Sequence, residues 1–287
     1  MSNLESISLI ASLVSVVLTI IFAIFAFVSS RRNIMAAAGR KPGSKAATVE
    51  PQSTMSLTAR ILTALTLVFI TLAIVFRAIQ TGHGPFSNMY EFALAFAWGI
   101  VVMSIFFEWR YKTASVRNVG VIVALLLLIF ATVQHAKPEP LVPALQQSVL
   151  LSVHVASAVV AYGIFTIGFG AAILFLIQNR RNSPWLPDKE VLDNMSYQSV
   201  VIGFPFLTLT IILGALWADI AWGRYWGWDP KETASLVTWL LYAAYMHARL
   251  MRGWRGTKTA ILLIAGFGAI LLTFFGNYIF TGLHAYQ

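Results

Sequence analysis

The chain has 287 residues, a formal net charge of +9 and no cysteine; 58% of it is hydrophobic and only 11% charged. With a mean hydropathy of +0.76, it carries more apolar surface than a water-soluble domain can hide, so it is an integral membrane protein. Lacking thiols, it can build no disulfide framework, zinc-thiolate site or thiol relay of its own.

A helix that crosses a bilayer needs about 20 mostly apolar residues. Eight stretches qualify: 6–29, 59–79, 90–108, 119–135, 149–178, 198–219, 233–251 and 259–278. Each is a continuous apolar run, whereas a β-barrel strand would alternate over about 10 residues. The expected fold is all-α, a polytopic bundle of about eight transmembrane helices. The first span follows Met1-Ser2-Asn3-Leu4-Glu5, which has no positive charge, and precedes Arg31-Arg32. That is not a signal peptide's order, so it reads as a retained helix. Residues 31–57, with Gly39, Pro42 and Gly43, read as a mobile basic linker. The chain then divides into an N-terminal helix and linker, 1–58, and a membrane domain, 59–287. A second polar segment, 179–197, contains Pro184, Pro187, Trp185 and Tyr197 and suits an interfacial position with room for a short helix.

The basic residues alternate with the spans. Arg31, Arg32, Arg40, Lys41, Lys45 and Arg60 follow the first span, and Arg110, Lys112 and Arg117 the third. Arg180, Arg181 and Lys189 follow the fifth, and Arg249, Arg252, Arg255 and Lys258 the seventh. Only Arg77, Lys137, Arg224 and Lys231 fall at the other end, out of 20 basic residues. Basic loops mark the cytoplasmic side, so both termini should lie outside. Nucleic-acid binding would instead need the positive charge gathered on one folded surface.

Between the sixth and seventh spans runs Trp222-Gly223-Arg224-Tyr225-Trp226-Gly227-Trp228-Asp229-Pro230-Lys231-Glu232-Thr233. Single Trp and Tyr residues at a membrane surface usually form an interfacial belt. Four aromatics this close together also suit a platform for a flat organic ligand. The Asp-Pro-Lys-Glu ending fits a helix start, with Asp229 as N-cap, Pro230 at the first helical position and Glu232 at the third.

That cap sets the register of the following helix. His247 lies 15 residues beyond Glu232, about 22 Å along the axis at 1.5 Å per residue. It shares a face with Leu236, Leu240 and Ala243, with Ala244 beside it. A histidine inside a membrane is a functional candidate, although one bonded to a neighbouring helix would look the same. His154 near the start of the fifth span and His284 in the tail fall on the side of the Trp-rich loop. They approach it only if helices 5 and 8 bracket the 6–7 hairpin. Two imidazoles there would suit the axial positions of heme iron, and either alone would suit an interfacial polar residue. His83 and His135 fit loop and helix-end roles. With no His-x-x-x-His and no carboxylate cluster, a zinc or di-iron site has little support. No second histidine falls at the depth of His247, so a ligand opposite it would come from another chain or another residue type.

The Trp222–Thr233 loop resembles the WWD signature of heme-handling membrane proteins. Its Asp-Pro-Lys-Glu ending is most similar to the CcsA/ResC family of cytochrome c biogenesis, system II. Four further segments share the resemblance: His83-Gly84-Pro85-Phe86-Ser87-Asn88-Met89-Tyr90-Glu91, Pro143-Ala144-Leu145-Gln146 with His154-Val155, Tyr245-Met246-His247-Ala248-Arg249, and Gly282-Leu283-His284-Ala285-Tyr286. Ala285 departs from the serine expected there. The resemblance covers residue 80 to the C-terminus.

It implies that His154 and His284 are axial ligands of a heme b substrate at the outer face, and that His247 binds heme within the membrane. Trp222, Tyr225, Trp226, Trp228 and Asp229 would contact the heme. It further implies a ResB/CcsB-type membrane partner that supplies the missing transmembrane histidine, an apocytochrome c acceptor with Cys-x-x-Cys-His thiols, and thiol-reducing proteins. The setting would be a bacterial plasma membrane or a thylakoid-type membrane. The activity implied is that of a heme-handling subunit in a holocytochrome c synthase. A heme exporter without attachment activity, or a structural or quinone-binding subunit, are the alternatives.

Overall fold

A computed structural model describes residues 3–38, 54–134, 137 and 148–279. These form eight helices: α1 (Asn3–Ala38), α2 (Thr54–Thr81), α3 (Met89–Tyr111), α4 (Ala114–Thr132), α5 (Ser148–Arg181), α6 (Lys189–Trp222), α7 (Pro230–Met251) and α8 (Thr257–Ile279). No strand occurs among the described residues. Each expected span lies within one helix, except that α4 stops at Thr132, three residues short. The chain is a multi-pass membrane protein with an all-α bundle.

Other helix ends also differ from the sequence expectation, and α2 begins at Thr54, inside the expected linker. The first helix continues to Ala38, into the expected linker, and residues 39–53 lie outside the described residues. The polar segment 179–197 is largely helical, since α5 runs to Arg181 and α6 begins at Lys189. The early turns of α6 are amphipathic: Leu192, Met195 and Ser196 are buried, while Glu190 and Asn194 face outward. Seven helices are long and apolar enough to cross a membrane, and α7 is the exception. It carries Lys231, Glu232, His247 and Arg249 besides several hydroxyls.

Successive helices pair as hairpins, α1 with α2, α3 with α4, α5 with α6 and α7 with α8. Contacts of α5 with α3 and α8 join the hairpins. At the α3–α5 crossing a side chain on Gly163 would meet the Gly99 carbonyl oxygen at 2.8 Å. Small residues allow such close approach in membranes, where dispersion contacts replace the hydrophobic drive. Further along α5, Phe165 stacks on Tyr242 of α7 with ring centres 3.8 Å apart.

Buried and half-buried ion pairs hold the helix ends in register. At one end Arg77 Nε donates to Glu91 Oε1 at 2.8 Å, and Arg77 Nη1 lies 3.8 Å from Glu5. All three side chains are fully buried, so α1, α2 and α3 meet there. Glu91 Oε2 accepts from the Ser87 amide and hydroxyl, which shapes the turn before α3. At the opposite end Arg117 donates two bonds to Glu108, and Arg249 makes a bidentate pair with Asp193. A buried pair of this kind stabilises little relative to apolar packing, but losing one partner strands a charge at a cost of about 3–5 kcal/mol.

Candidate heme site beneath the aromatic loop

His154 occupies the second turn of α5 and leans onto α6. Its Nδ1 lies 2.8 Å from the Thr210 carbonyl oxygen. A carbonyl only accepts, so Nδ1 carries a proton, and in the neutral ring Nε2 holds the lone pair. A metal-binding imidazole uses this tautomer, and here the Thr210 carbonyl orients the ring. Ser157 reinforces the contact, since its hydroxyl donates to the His154 carbonyl and lies 2.9 Å from the Thr210 hydroxyl. Gly214 makes room for the ring: a side chain there would stand 2.8 Å from His154 Cε1.

The loop that follows α6 is fixed at both ends. Gly223 closes the helix in the left-handed region at φ 72°, a conformation that costs glycine nothing. At the other end Asp229 and Glu232 form the capping box expected from sequence. Glu232 Oε2 accepts from the amides of Gly227 and Asp229, and Asp229 Oδ2 from the amide of Lys231. Between these anchors Trp228 takes φ 58°, strained for a residue with a side chain. The turn sends neighbouring aromatics in different directions.

Tyr225 and Trp226 line a pocket together with His154. Trp228 points outward, 68% exposed, and meets Trp226 edge-on. Trp222 does not line the pocket. It packs edge-on behind Trp217, which does. Asp229 is buried in its capping role and is likewise absent from the lining.

The remaining walls come from side chains that the sequence did not nominate as site residues. Met89, Phe92 and Phe96 of α3 form one side, and Thr273 and Phe274 of α8 another. Phe96 stacks on Tyr162 at 5.2 Å and meets Phe274 edge-on at 5.4 Å. The cavity inside measures about 130 Å³ and opens at its mouth. Its lining is mostly apolar, with His154, Lys231 and Glu232 as the ionisable side chains apart from tyrosines. Helix α5 packs on α6, and α8 on α7, so α5 and α8 flank the α6–α7 pair.

The other histidines stand elsewhere. His247 faces outward from α7, on the side that also exposes Val237, Leu240 and Met251. His83 Nδ1 bonds to the Gly84 carbonyl oxygen and lies 4.0 Å from Glu91, so it belongs to the α2–α3 turn. His135 and His284 lie outside the described residues. No group of three His, Asp or Glu residues is placed to hold a bare metal ion among the described residues.

A family model described as cytochrome C assembly protein matches residues 86–284. The chain belongs to the CcsA family of cytochrome c assembly proteins. It is 38% identical over 274 residues to the cytochrome c biogenesis protein CcsA of Prochlorococcus marinus strain NATL2A, covering 82% of this chain and 86% of that one. It is 35% identical to the protein of the same name from Guillardia theta, covering 78% and 83%. With that from Porphyra purpurea it shares 33% identity over 276 residues. Among solved structures, a cytochrome c heme lyase CcmF shares the fold with a TM-score of 0.69 at 18% identity. The match takes in 95% of this CcsA-family chain but only 46% of that longer one.

Proposed function

We propose that this chain is the heme-handling subunit of a holocytochrome c synthase, working with a ResB/CcsB-type partner. It brings heme b to the outer face of the membrane and presents it for thioether attachment to apocytochrome c. The observation that carries this reading is His154, held in its Nδ1-protonated form, beside an aromatic pocket that Tyr225 and Trp226 complete. The site fits a porphyrin: an imidazole nitrogen for the iron, apolar walls and stacking surfaces for the macrocycle.

Heme as substrate supplies the iron and the vinyl groups, across which each acceptor thiol adds its sulfur and hydrogen. Both sulfurs come from the Cys-x-x-Cys-His segment, since this chain has no cysteine. The chain's part is positioning and exclusion of water. His154 ligates iron from α5 and His284 from the opposite face. Tyr225 and Trp226 contact the ring, Trp222 braces Trp217, and Trp228 braces Trp226 from outside. Asp229 fixes the loop. His247 forms an earlier station within the membrane, completed by the partner. Thiol-reducing proteins keep the acceptor ready. All of this belongs to the domain 59–287.

The Trp-rich loop and both termini lie on the outer side in this reading, because the other end carries sixteen of the 20 basic residues. Reporter fusions after residues 45, 112, 185 and 255 should read cytoplasmic, and one near 226 external.

The direct test is the heme spectrum of the chain purified with its partner, for wild type, His154→Ala and His284→Ala. Both variants should lose heme and cytochrome c maturation. Unchanged heme and maturation in the double variant would overturn the proposal. Reduced apocytochrome peptide added to the loaded complex should give thioether-linked product; heme release without that product would make the chain a carrier only.

A further inference from the structure

Among the described residues, Lys231 is the one Lys or Arg that lines the pocket. Its ammonium lies 5.3 Å from the centre of the Phe92 ring on the facing helix. No carboxylate of the described residues lies within ion-pairing distance of it. The nearby acids have other work: Asp229 caps α7, and Glu232 Oε2 receives two loop amides. Other cations near this end are engaged away from the pocket. Arg77 is locked between Glu5 and Glu91, and Arg224 lies over Gly227, whose missing side chain leaves it room.

Lys231, with Asp229 near but not paired to it, brings positive charge to a mostly apolar wall, where a ligand carboxylate at close range would offset the cost of its desolvation. We infer that Lys231 anchors a carboxylate of the pocket's ligand, a heme propionate, and so sets the rotation of the macrocycle about the bond from His154 to iron. The inference rests on the heme reading above. Ligation by His154 fixes one point and leaves the ring free to turn, and a second point across the pocket removes that freedom. The requirement is chemical: an apolar macrocycle lacking free carboxylates should seat less well.

The test compares ferric protoporphyrin IX with its dimethyl ester, titrated into the purified full-length chain and read by the Soret band. The wild type should prefer the free acid by about tenfold to hundredfold, the worth of one charge-assisted hydrogen bond. Lys231→Met should lose that preference while keeping its affinity for the ester, which also shows that the variant is folded. Lys231→Arg should retain the preference, and so should Arg224→Gln, which removes a charge from the same loop outside the pocket. Equal free-acid preference in wild type and Lys231→Met would overturn the carboxylate anchor. Failure of the wild type to bind either compound would overturn the heme reading itself, and the anchor with it.

Discussion

His154 and His247 are both histidines on long helices of one bundle, yet their surroundings differ in kind. His154 is surrounded by its own chain: a carbonyl fixes its tautomer, a glycine makes room for its ring, and aromatic walls from α3, α6, the loop and α8 stand around it. His247 faces outward among Leu240, Val237 and Met251, all exposed. The first is preorganised, since the groups that hold its ring are already bonded to one another. The second has only one wall. In the proposed function, this means the outer heme is held chiefly by this chain and the transmembrane heme by an interface with the partner.

Substitutions can break that contrast. The largest effect is expected from His154→Ala, measured by Soret titration of the chain without its partner. Affinity should fall by more than the roughly 10–100-fold that loss of an outer-shell group alone costs; an unchanged titration would mean the pocket does not present this ligand. Next comes Gly214→Ala, which leaves the imidazole in place but crowds it from 2.8 Å. Overpacking of this sort costs about 1–3 kcal/mol, and the expected sign is a weakened iron–histidine bond seen as a shift toward high-spin bands. Asp229→Ala should cost about 1 kcal/mol through loss of the helix cap. It should appear as faster hydrogen exchange at residues 223–229 rather than as loss of ligation. The smallest effect belongs to His247→Ala: heme uptake by the isolated chain should not change, whereas the complex with the partner should lose one of its hemes. A drop in the isolated chain would show that His247 serves the same site as His154, and the contrast would fail.

The histidine contrast was only half legible in the sequence. His154 and His247 were both nominated, and the cap at Asp229 placed the latter deep along α7. The cap pattern is local, so it was readable: Asp, Pro and Glu must sit at fixed offsets from the helix start. The same pattern fixed where α7 begins, at Pro230, three residues before the apolar run 233–251. Absent from the linear pattern were the walls at Met89, Phe92, Phe96 and Phe274. Each lies on a helix that is apolar on every side, so nothing in its periodicity tells a pocket face from a lipid face. Nor could the loop's aromatics be sorted one by one. Trp226 and Trp228 differ by two positions, and the positive φ at Trp228 decides that one lines the pocket and the other faces out.

The amphipathic start of α6 and the burial of Arg77 teach the same limit. Lys189, Glu190 and Asp193 read as a polar surface segment, but Leu192 and Met195 between them pack inward, and Asp193 finds Arg249 56 positions away. Arg77 enters the sequence pattern only as one of four basic residues at its end of the spans, yet Glu5 and Glu91 close around it.

The sequence by itself determined the membrane setting, the number and limits of most helices, the alternation of charged ends and the capped loop. All of these depend on composition or on neighbours within a few turns. Only the tertiary structure decided which histidine is enclosed, which aromatics line the pocket, where Lys231 lies relative to them and which charges pair. Those depend on contacts between residues tens to more than a hundred positions apart, and in helices apolar all around, packing rather than pattern selects the inward face.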